Sequence, residues 1–424
     1  MIALGIVSLF VMLLMGLPIA FSLALAGLFL MYIVMQQNPE VLSAVPQMMF
    51  GATDSFTLTA IPFFLLASEF LIAAGVIRYL IDGIDTLIGH WRGGLLTVSV
   101  VGAAFFAAIT GSSSATLVAI GGVLIPEMIR KGYNPNHAMG ILAIASGLGI
   151  VIPPSIPMIV YGSIAQESVG KLFVAGFIPG ILIAIGLIAV GIFVSRKDNI
   201  SLPPRANLKE RFSALKKAFW IMIMPILIAV GIYGGYFTPT EAAAATAVYA
   251  LLIGHFIYGG FTWERFKQAI VKTVETNSMI LLIIAGATVF AFVLSMLQVP
   301  QMITQFVTEW NLSKYGFLLM VSLLLLILGM FLEITSILLL TTPIILPVMV
   351  QLGIDPIHFA IIFVVNMEFA LITPPLGMNL FIVSNITNYP IERVLRGSIP
   401  FTAVLLAVLA AVIFIPYLSL VLVR

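Results

Sequence analysis

Four short polar stretches interrupt an otherwise apolar chain, and each is built from groups that could hold a small ion. Thr110-Gly-Ser-Ser-Ser-Ala115 sets the hydroxyls of Ser112, Ser113 and Ser114 in a row behind a glycine. Pro153-Pro154-Ser155, with Pro157 close behind, breaks the apolar run 136–165. Thr335 and Ser336 follow Glu333, and Thr373-Pro374-Pro375 precedes Gly377 and Asn379 in a second broken run, 357–386. Proline removes a helical hydrogen bond and clashes with the preceding turn, so each Pro-Pro pair unwinds its helix locally. Hydroxyl oxygens and freed carbonyls can replace the hydration shell of a hard monovalent cation such as Na+. Half-helix N-termini present positive dipole ends to anionic groups. Serines in membrane helices often only satisfy nearby backbone. Here the triplet sits at a turn, opposite a broken helix, which favours a site.

Those groups must be positioned by membrane helices. The chain has 424 residues, 61% hydrophobic and 8% charged, with a mean hydropathy of +1.19. A soluble domain carries roughly 25% charged residues, so the fold class is all-α polytopic membrane protein, with the lipid bilayer as its surroundings. A net charge of +2 implies no nucleic-acid partner, and the absence of cysteine excludes disulfides and thiolate metal sites. The N-terminus lacks a basic region and a cleavage motif and reads as a retained membrane helix. The 20 methionines and 30 phenylalanines read as packing or lipid-facing residues and not as a cofactor site.

Shifting the chain by 221 residues superposes Pro18 on Pro239, Pro126 on Pro347, Pro135 on Pro356, Pro153-Pro154 on Pro374-Pro375 and Pro179 on Pro400. Six of the 11 prolines in residues 1–203 find a partner, where a frequency of about 5% would give fewer than one. Residues 1–203 and 222–424 therefore read as two copies of one unit, with a linker at 204–221 in the solvated stretch 196–217. In the first copy, residues 2–15 and 18–35 are expected as a helix pair or one broken helix and 57–76 as a helix, with a polar loop at 36–56 and an interfacial amphipathic segment at 77–92. A hairpin follows over 93–128, then the broken helix 136–165 and a helix at 172–194. The arms of the hairpin, about 15–17 residues each, are short of the roughly 20 needed to span a bilayer, so it reads as re-entrant. The second copy gives helices at 219–236, 240–258 and 277–298, an amphipathic stretch at 261–275, a hairpin at 316–350, the broken helix 357–386 and a last helix at 398–421.

Five crossings per copy, about 10 in all, make the two repeats inverted. With the N-terminus outside, 16 of the 19 Lys and Arg fall in cytoplasmic loops, as the positive-inside rule asks. Charges inside such helices are costly, so Glu69, Glu241, Glu333 and Glu368 each read as a proton or cation group or as a structural carboxylate. For Glu241, behind Thr238-Pro-Thr240, a helix cap is the better reading. His137 and His358 match under the repeat, and their separation argues against a metal site other than for Na+. Glu127 and Arg130 stand at pairing distance on a helix.

Phe105–Gly122, Ile152-Pro-Pro-Ser-Ile-Pro157, Phe237-Thr-Pro-Thr-Glu-Ala242 and Leu371–Asn379 together resemble the large membrane subunit of tripartite ATP-independent periplasmic (TRAP) transporters. The resemblance covers essentially the whole chain. It implies a non-enzymatic permease of the inner membrane that imports an organic acid, of sialic acid or C4-dicarboxylate type, with Na+ as the coupling ion and no other cofactor. It implies two partners, a small four-helix membrane subunit and a soluble periplasmic substrate-binding protein. It also implies an elevator: a scaffold of about 1–92 and 222–298 around a moving domain of about 93–165 and 316–386. By residue, the first Na+ site would draw on Ser112, Ser113, Ser114, Pro153 and Ser155, and the second on Thr335, Ser336, Thr373, Gly377 and Asn379. Substrate would touch Ser113, Ser155, Thr335, Thr373 and Asn379 between the tips. The alternative is a stand-alone Na+- or H+-coupled carboxylate carrier of related fold. A membrane enzyme lacks any activated nucleophile or metalloprotease motif here, and a purely structural subunit would have no use for costly broken helices.

Overall fold

A computed structural model describes residues 1–35, 39–198, 200, 204–375 and 377–423. Within them the chain is helical, with no strand. Helices α1 (Ile2–Leu14) and α2 (Ile19–Val34) form a tight antiparallel pair. Gly16, at φ +84°, makes the turn before Pro18, and a Cβ on Gly5 would lie 2.1 Å from Leu30 Cδ1. Within the stretch expected as a polar loop, Pro39–Ala44 is a 3-10 helix and α3 (Val45–Thr53) is α-helical. A 3-10 turn, Thr57–Thr59, leads into α4 (Ala60–Ala73), 61° away from α3. The amphipathic α5 (Ile77–Ile88) follows.

The first hairpin is α6 (Gly94–Thr110) returning through α7 (Ser113–Thr116), a π-helical turn at Leu117–Gly121, and α8 (Gly122–Arg130). Its arms stay in register from base to tip. The Leu95 N–H donates to Tyr133 Oη at 3.1 Å, and Thr110 and Thr116 hydroxyls meet at 3.0 Å. The first broken helix comes as α9 (Pro135–Ala145), α10 (Leu148–Val151) and α11 (Ile156–Ala165), followed by α12 (Val169–Val194).

The expected linker is helical from its fifth residue. Asn207 and Glu210 form a reciprocal capping box at the start of α13 (Leu208–Met222), and α14 (Met224–Tyr233) continues it past Pro225. A charged, solvated face is compatible with a helix when its other face has a partner, and Ala218 of α13 packs over Gly83 of α5. Next come α15 (Pro239–Leu252) with a π turn at Ile253–Ile257, and α16 (Trp263–Met296). The latter joins the expected amphipathic stretch and its following helix into 34 residues. Nothing between residues 272 and 280 is Pro or Gly, so no residue there breaks it.

An amphipathic α17 (Val299–Glu309), not anticipated from sequence, precedes the second hairpin, α18 (Lys314–Gly329) and α19 (Ile334–Gln351). The second broken helix is α20 (Pro356–Ala370) with α21 (Met378–Thr387), and α22 (Ile391–Phe414) with the short α23 (Tyr417–Leu420) ends the fold. The expected last helix thus begins seven residues earlier and breaks at Ile415-Pro416. By length and composition eight helices among the described residues can cross a membrane, nine with the bent α3–α4 region taken as one span. Two of the eight are hairpin arms. Length alone leaves out α1, α2 and the α20–α21 pair, which the expected count of ten includes.

Small residues let these helices approach closely, the usual packing device where lipid removes the hydrophobic drive. A Cβ on Gly27 of α2 would meet the Phe290 backbone of α16 at 2.8 Å, and one on Gly140 of α9 would meet the Gly397 carbonyl of α22 at 2.1 Å. Backbone cannot yield as a side-chain end can. Gly140→Ala is therefore expected to destabilise the folded protein by about 1–3 kcal/mol. Gly122→Ala, whose Cβ meets nothing within 4 Å, is expected to be neutral or stabilising. Thermal unfolding in detergent reads both, and equal melting temperatures for the two variants would overturn the close-approach argument.

Candidate functional site

The two Pro-Pro breaks solve the same problem with different groups. Without an amide at residue 154, the Ile150 carbonyl loses its helical donor. The Ser155 hydroxyl supplies one, donating to it at 2.7 Å, and Ser155 Oγ also accepts from the Met158 N–H to cap α11. In the second break Pro375 leaves the Leu371 carbonyl bare, and the Asn379 N–H reaches back to it at 3.1 Å. Thr373 donates to the Phe369 carbonyl at 2.8 Å, and the Gly377 N–H donates to the Thr373 carbonyl. Both Pro-Pro bonds are cis.

The first tip docks directly on the first break. Gly111, at φ +63°, accepts the Ile156 N–H at 3.1 Å, and a Cβ there would strike the Pro154 carbonyl at 2.8 Å. Ser112 caps α7 and shares its hydroxyl with Ser114 at 3.2 Å. Two helix N-termini, those of α7 and α11, thus start side by side.

Asn379 crosses from the second break to this first tip. Its amide nitrogen lies 2.9 Å from Ser113 Oγ, 2.8 Å from the Ala143 carbonyl and 3.2 Å from Ser146 Oγ, while its carbonyl oxygen lies 3.3 Å from Ser113 Oγ. Asn379 was grouped by sequence with Thr335 and Ser336, but its hydrogen bonds go to the other tip. Ser113 and Asn379, assigned from sequence to different ion sites and to one substrate site, meet directly. Ser155 is bonded into its own break, Thr373 into its own helix, and Thr335 to Glu333 at 2.8 Å. Glu333 caps α19 through the Ser336 N–H at 3.3 Å, and the buried Ser336 hydroxyl has no partner among the described residues.

The two halves also differ in openness. Pro153, Pro154 and Ser155 are buried, whereas Pro374 and Pro375 are exposed. A cavity of about 410 Å³ lies along the second break, lined by Leu13, Ile19, Glu333, Leu371, Gly377 and Phe381 among others. Against the first break lies a cavity of about 250 Å³, lined by Ala108, Pro153, Pro154, Phe173 and Tyr233 among others.

Other flagged residues fall into plain structural roles. Glu241 and Thr238 form the expected capping box, with Thr238 N–H to Glu241 Oε2 at 2.8 Å. Glu69 of α4 is paired with Lys272 of α16 at 3.2 Å. Arg130 and Lys131 both pair with Glu127, and Lys131 also reaches Asp85 of α5 at 4.0 Å. Burial pushes the Asp85 carboxyl above its ordinary range, and Lys131 opposes that. His137 faces Asp198 at 3.6 Å, and His358 Nδ1 meets Ser419 Oγ at 2.7 Å. Sequence reasoning missed Ala143, Ser146 and Gly147, the first bend of the broken helix. Its signal was the Ser146-Gly147 pair, a recognised kink site.

Apolar helices, two of them broken and meeting the first hairpin tip at a shared polar contact, are the architecture of a membrane transport protein. The chain belongs to the family of the tripartite ATP-independent periplasmic transporter, DctM component, whose profile matches residues 6–418. It is 43% identical over 383 residues to the C4-dicarboxylate TRAP transporter large permease protein DctM of Pseudomonas aeruginosa, with 90% of each chain covered. It is 35% identical over 407 residues to the sialic acid TRAP transporter large permease protein SiaM of Vibrio cholerae, covering 96% of this chain and 95% of the relative. The fold also resembles the YdaH transporter of Alcanivorax borkumensis, with a TM-score of 0.63 over 89% of this chain and 88% of that one, at 15% identity.

Removing the Asn379 amide strips the buried Ala143 carbonyl and Ser113 of a partner. Asn379→Ala is expected to cost about 1–3 kcal/mol of stability, and Thr238→Ala, which loses an exposed cap, about 1 kcal/mol. Unfolding in detergent that ranks the two variants in the reverse order would refute the bridging role of Asn379.

Proposed function

We propose that this permease imports an organic acid together with Na+, in an elevator cycle. The carrying observation is the Asn379 bridge, which ties the second broken helix to the tip of the first hairpin. Around it stand the Ser112, Ser113 and Ser114 hydroxyls and the Asn379 carbonyl, oxygen donors of the hard kind that Na+ takes, with backbone freed at Pro153-Pro154. At the second tip the unpartnered Ser336 hydroxyl, with Thr335, Thr373 and the Gly377 backbone, offers a similar set. An anionic substrate is favoured by the paired N-termini of α7 and α11. The N-terminus of α19 is already taken by Glu333, so the substrate carboxylate is assigned to the first tip with Ser113 and Asn379, and with Ser155 once its bond to Ile150 is exchanged. Thr335 and Thr373 face it from the second.

The closer relative by identity is a C4-dicarboxylate permease, which favours a dicarboxylate over sialic acid. A small four-helix membrane subunit and a soluble periplasmic binding protein complete the assembly in the inner membrane, with the N-terminus periplasmic. Residues 1–203 and 222–424 act as inverted copies joined at 204–221. The mutual docking of hairpin tips and breaks supports a single moving body, and the close pairing of α2 with α16 supports a separate scaffold.

The test is uptake of labelled organic acids into proteoliposomes holding this chain with its small subunit and binding protein. Uptake is expected to need an inward Na+ gradient and the binding protein. Ser113→Ala with Asn379→Ala is expected to lower it by at least about tenfold, the loss that goes with one or two buried polar contacts. Uptake by this chain alone would replace the reading with a stand-alone carrier. Uptake driven by a proton gradient without Na+ would overturn the Na+ sites.

A further inference from the structure

Glu368 lies deep in α20, 1% exposed, and neither of its carboxylate oxygens has a hydrogen-bond partner among the described residues. It sits over Gly147. A Cβ on that glycine would fall 2.3 Å from Glu368 Cγ and 2.8 Å from Oε1. Positions 147 and 368 are 221 residues apart, so they are matching positions of the two copies. The acid therefore occupies the point where the two halves touch each other at equivalent residues, on the glycine next in sequence to Ser146, whose hydroxyl meets Asn379. Nothing in the Na+ or substrate sites proposed above uses it.

An ionised carboxylate at this point would be a buried, unpaired charge, which membrane interiors do not tolerate without a partner. The elements packed on α20 bring none. Helix α18 carries Lys314 and Tyr315 in its first turn, and α22 carries Glu392, Arg393 and Arg396 near its start. Helix α12 carries Lys171, α11 Tyr161 and α23 Tyr417, α19 begins behind Glu333, and α10 has no titratable group. On α20 itself, Asp355 and His358 stand at the N-terminal end, with His358 bonded to Ser419 ten residues, or about 15 Å, away from Glu368.

We propose that Glu368 is a proton-binding site at the contact between the two halves, occupied in this conformation. The proton makes the carboxyl neutral and lets Gly147 close on it. Raising the pH, or any movement that opens the contact to water, favours release of the proton. Low pH therefore favours the closed packing seen here, and the proton acts as a second coupling or regulatory ligand beside Na+.

Infrared difference spectra of the purified chain, wild type minus Glu368→Gln, test this directly. The expected result is a carbonyl-stretch band of a protonated carboxyl at neutral pH that shifts in D2O and is absent from the variant. Should the Gln variant not fold, Glu368→Asp is expected to shift that band, and wild type titrated upward in pH is expected to lose it while the amide bands stay fixed. In proteoliposomes, wild-type uptake is expected to fall by up to about tenfold per pH unit above the titration, and Glu368→Gln to flatten that limb. Identical spectra, or identical pH profiles, would overturn the proposal. The uptake arm rests on the transport function proposed above, but the infrared band does not. Uptake without Na+ dependence sinks that function and leaves the band standing, and a missing band with intact Na+-driven uptake sinks the proton site alone.

Discussion

A backbone at membrane depth has no water to bond, so every carbonyl freed by a broken helix must find another partner. Much of the polar design follows from that constraint. Two Pro-Pro pairs remove donors in the middle of two helices, and local side chains or amides replace them. Ser155 serves Ile150, and the Asn379 amide proton serves Leu371. The first hairpin tip then covers the first break, Gly111 accepting from Ile156, whereas Pro374 and Pro375 of the second stay exposed. At the first break this contact packs the hairpin tip directly on the broken helix.

The same constraint explains where glycine is needed. Gly111 lies against the Pro154 carbonyl and Gly149 against the Ser112 carbonyl, at 2.8 and 2.6 Å from an added Cβ. These are backbone contacts, so a side chain at either position would force the tip off the break. Flexibility matters less here than closeness.

Chemistry that is local in sequence was legible without coordinates. The serine tip, the paired breaks, the two hairpins and the Thr238–Glu241 cap depend on neighbouring residues and were all recognisable. What needed tertiary structure was the choice of partner. Glu69 and Lys272 are unremarkable alone and become an ion pair only when α4 meets α16. Asn379 belongs by sequence to the second tip, yet it bonds the first, because α21 crosses to α9. Charge density at 204–217 suggested a linker, but the apolar side of α13 finds α5 and makes that stretch a helix. The long α16 was divided because its polarity changes midway, although nothing in it breaks a helix.

The proline register at a spacing of 221 residues matches positions across the chain. The matched positions that differ are the informative ones. Ser112 at the first tip corresponds to Glu333 at the second, so one N-terminus is capped by a hydroxyl and the other by a carboxylate. Met158 corresponds to Asn379, so only one of the breaks sends an amide across to the opposite tip. Gly147 corresponds to Glu368, and the two pack against each other. Two glutamates would collide and repel at the shared contact, and two glycines would leave a hole where the side chain now packs. The acid at this contact is buried, with no hydrogen-bond partner among the described residues.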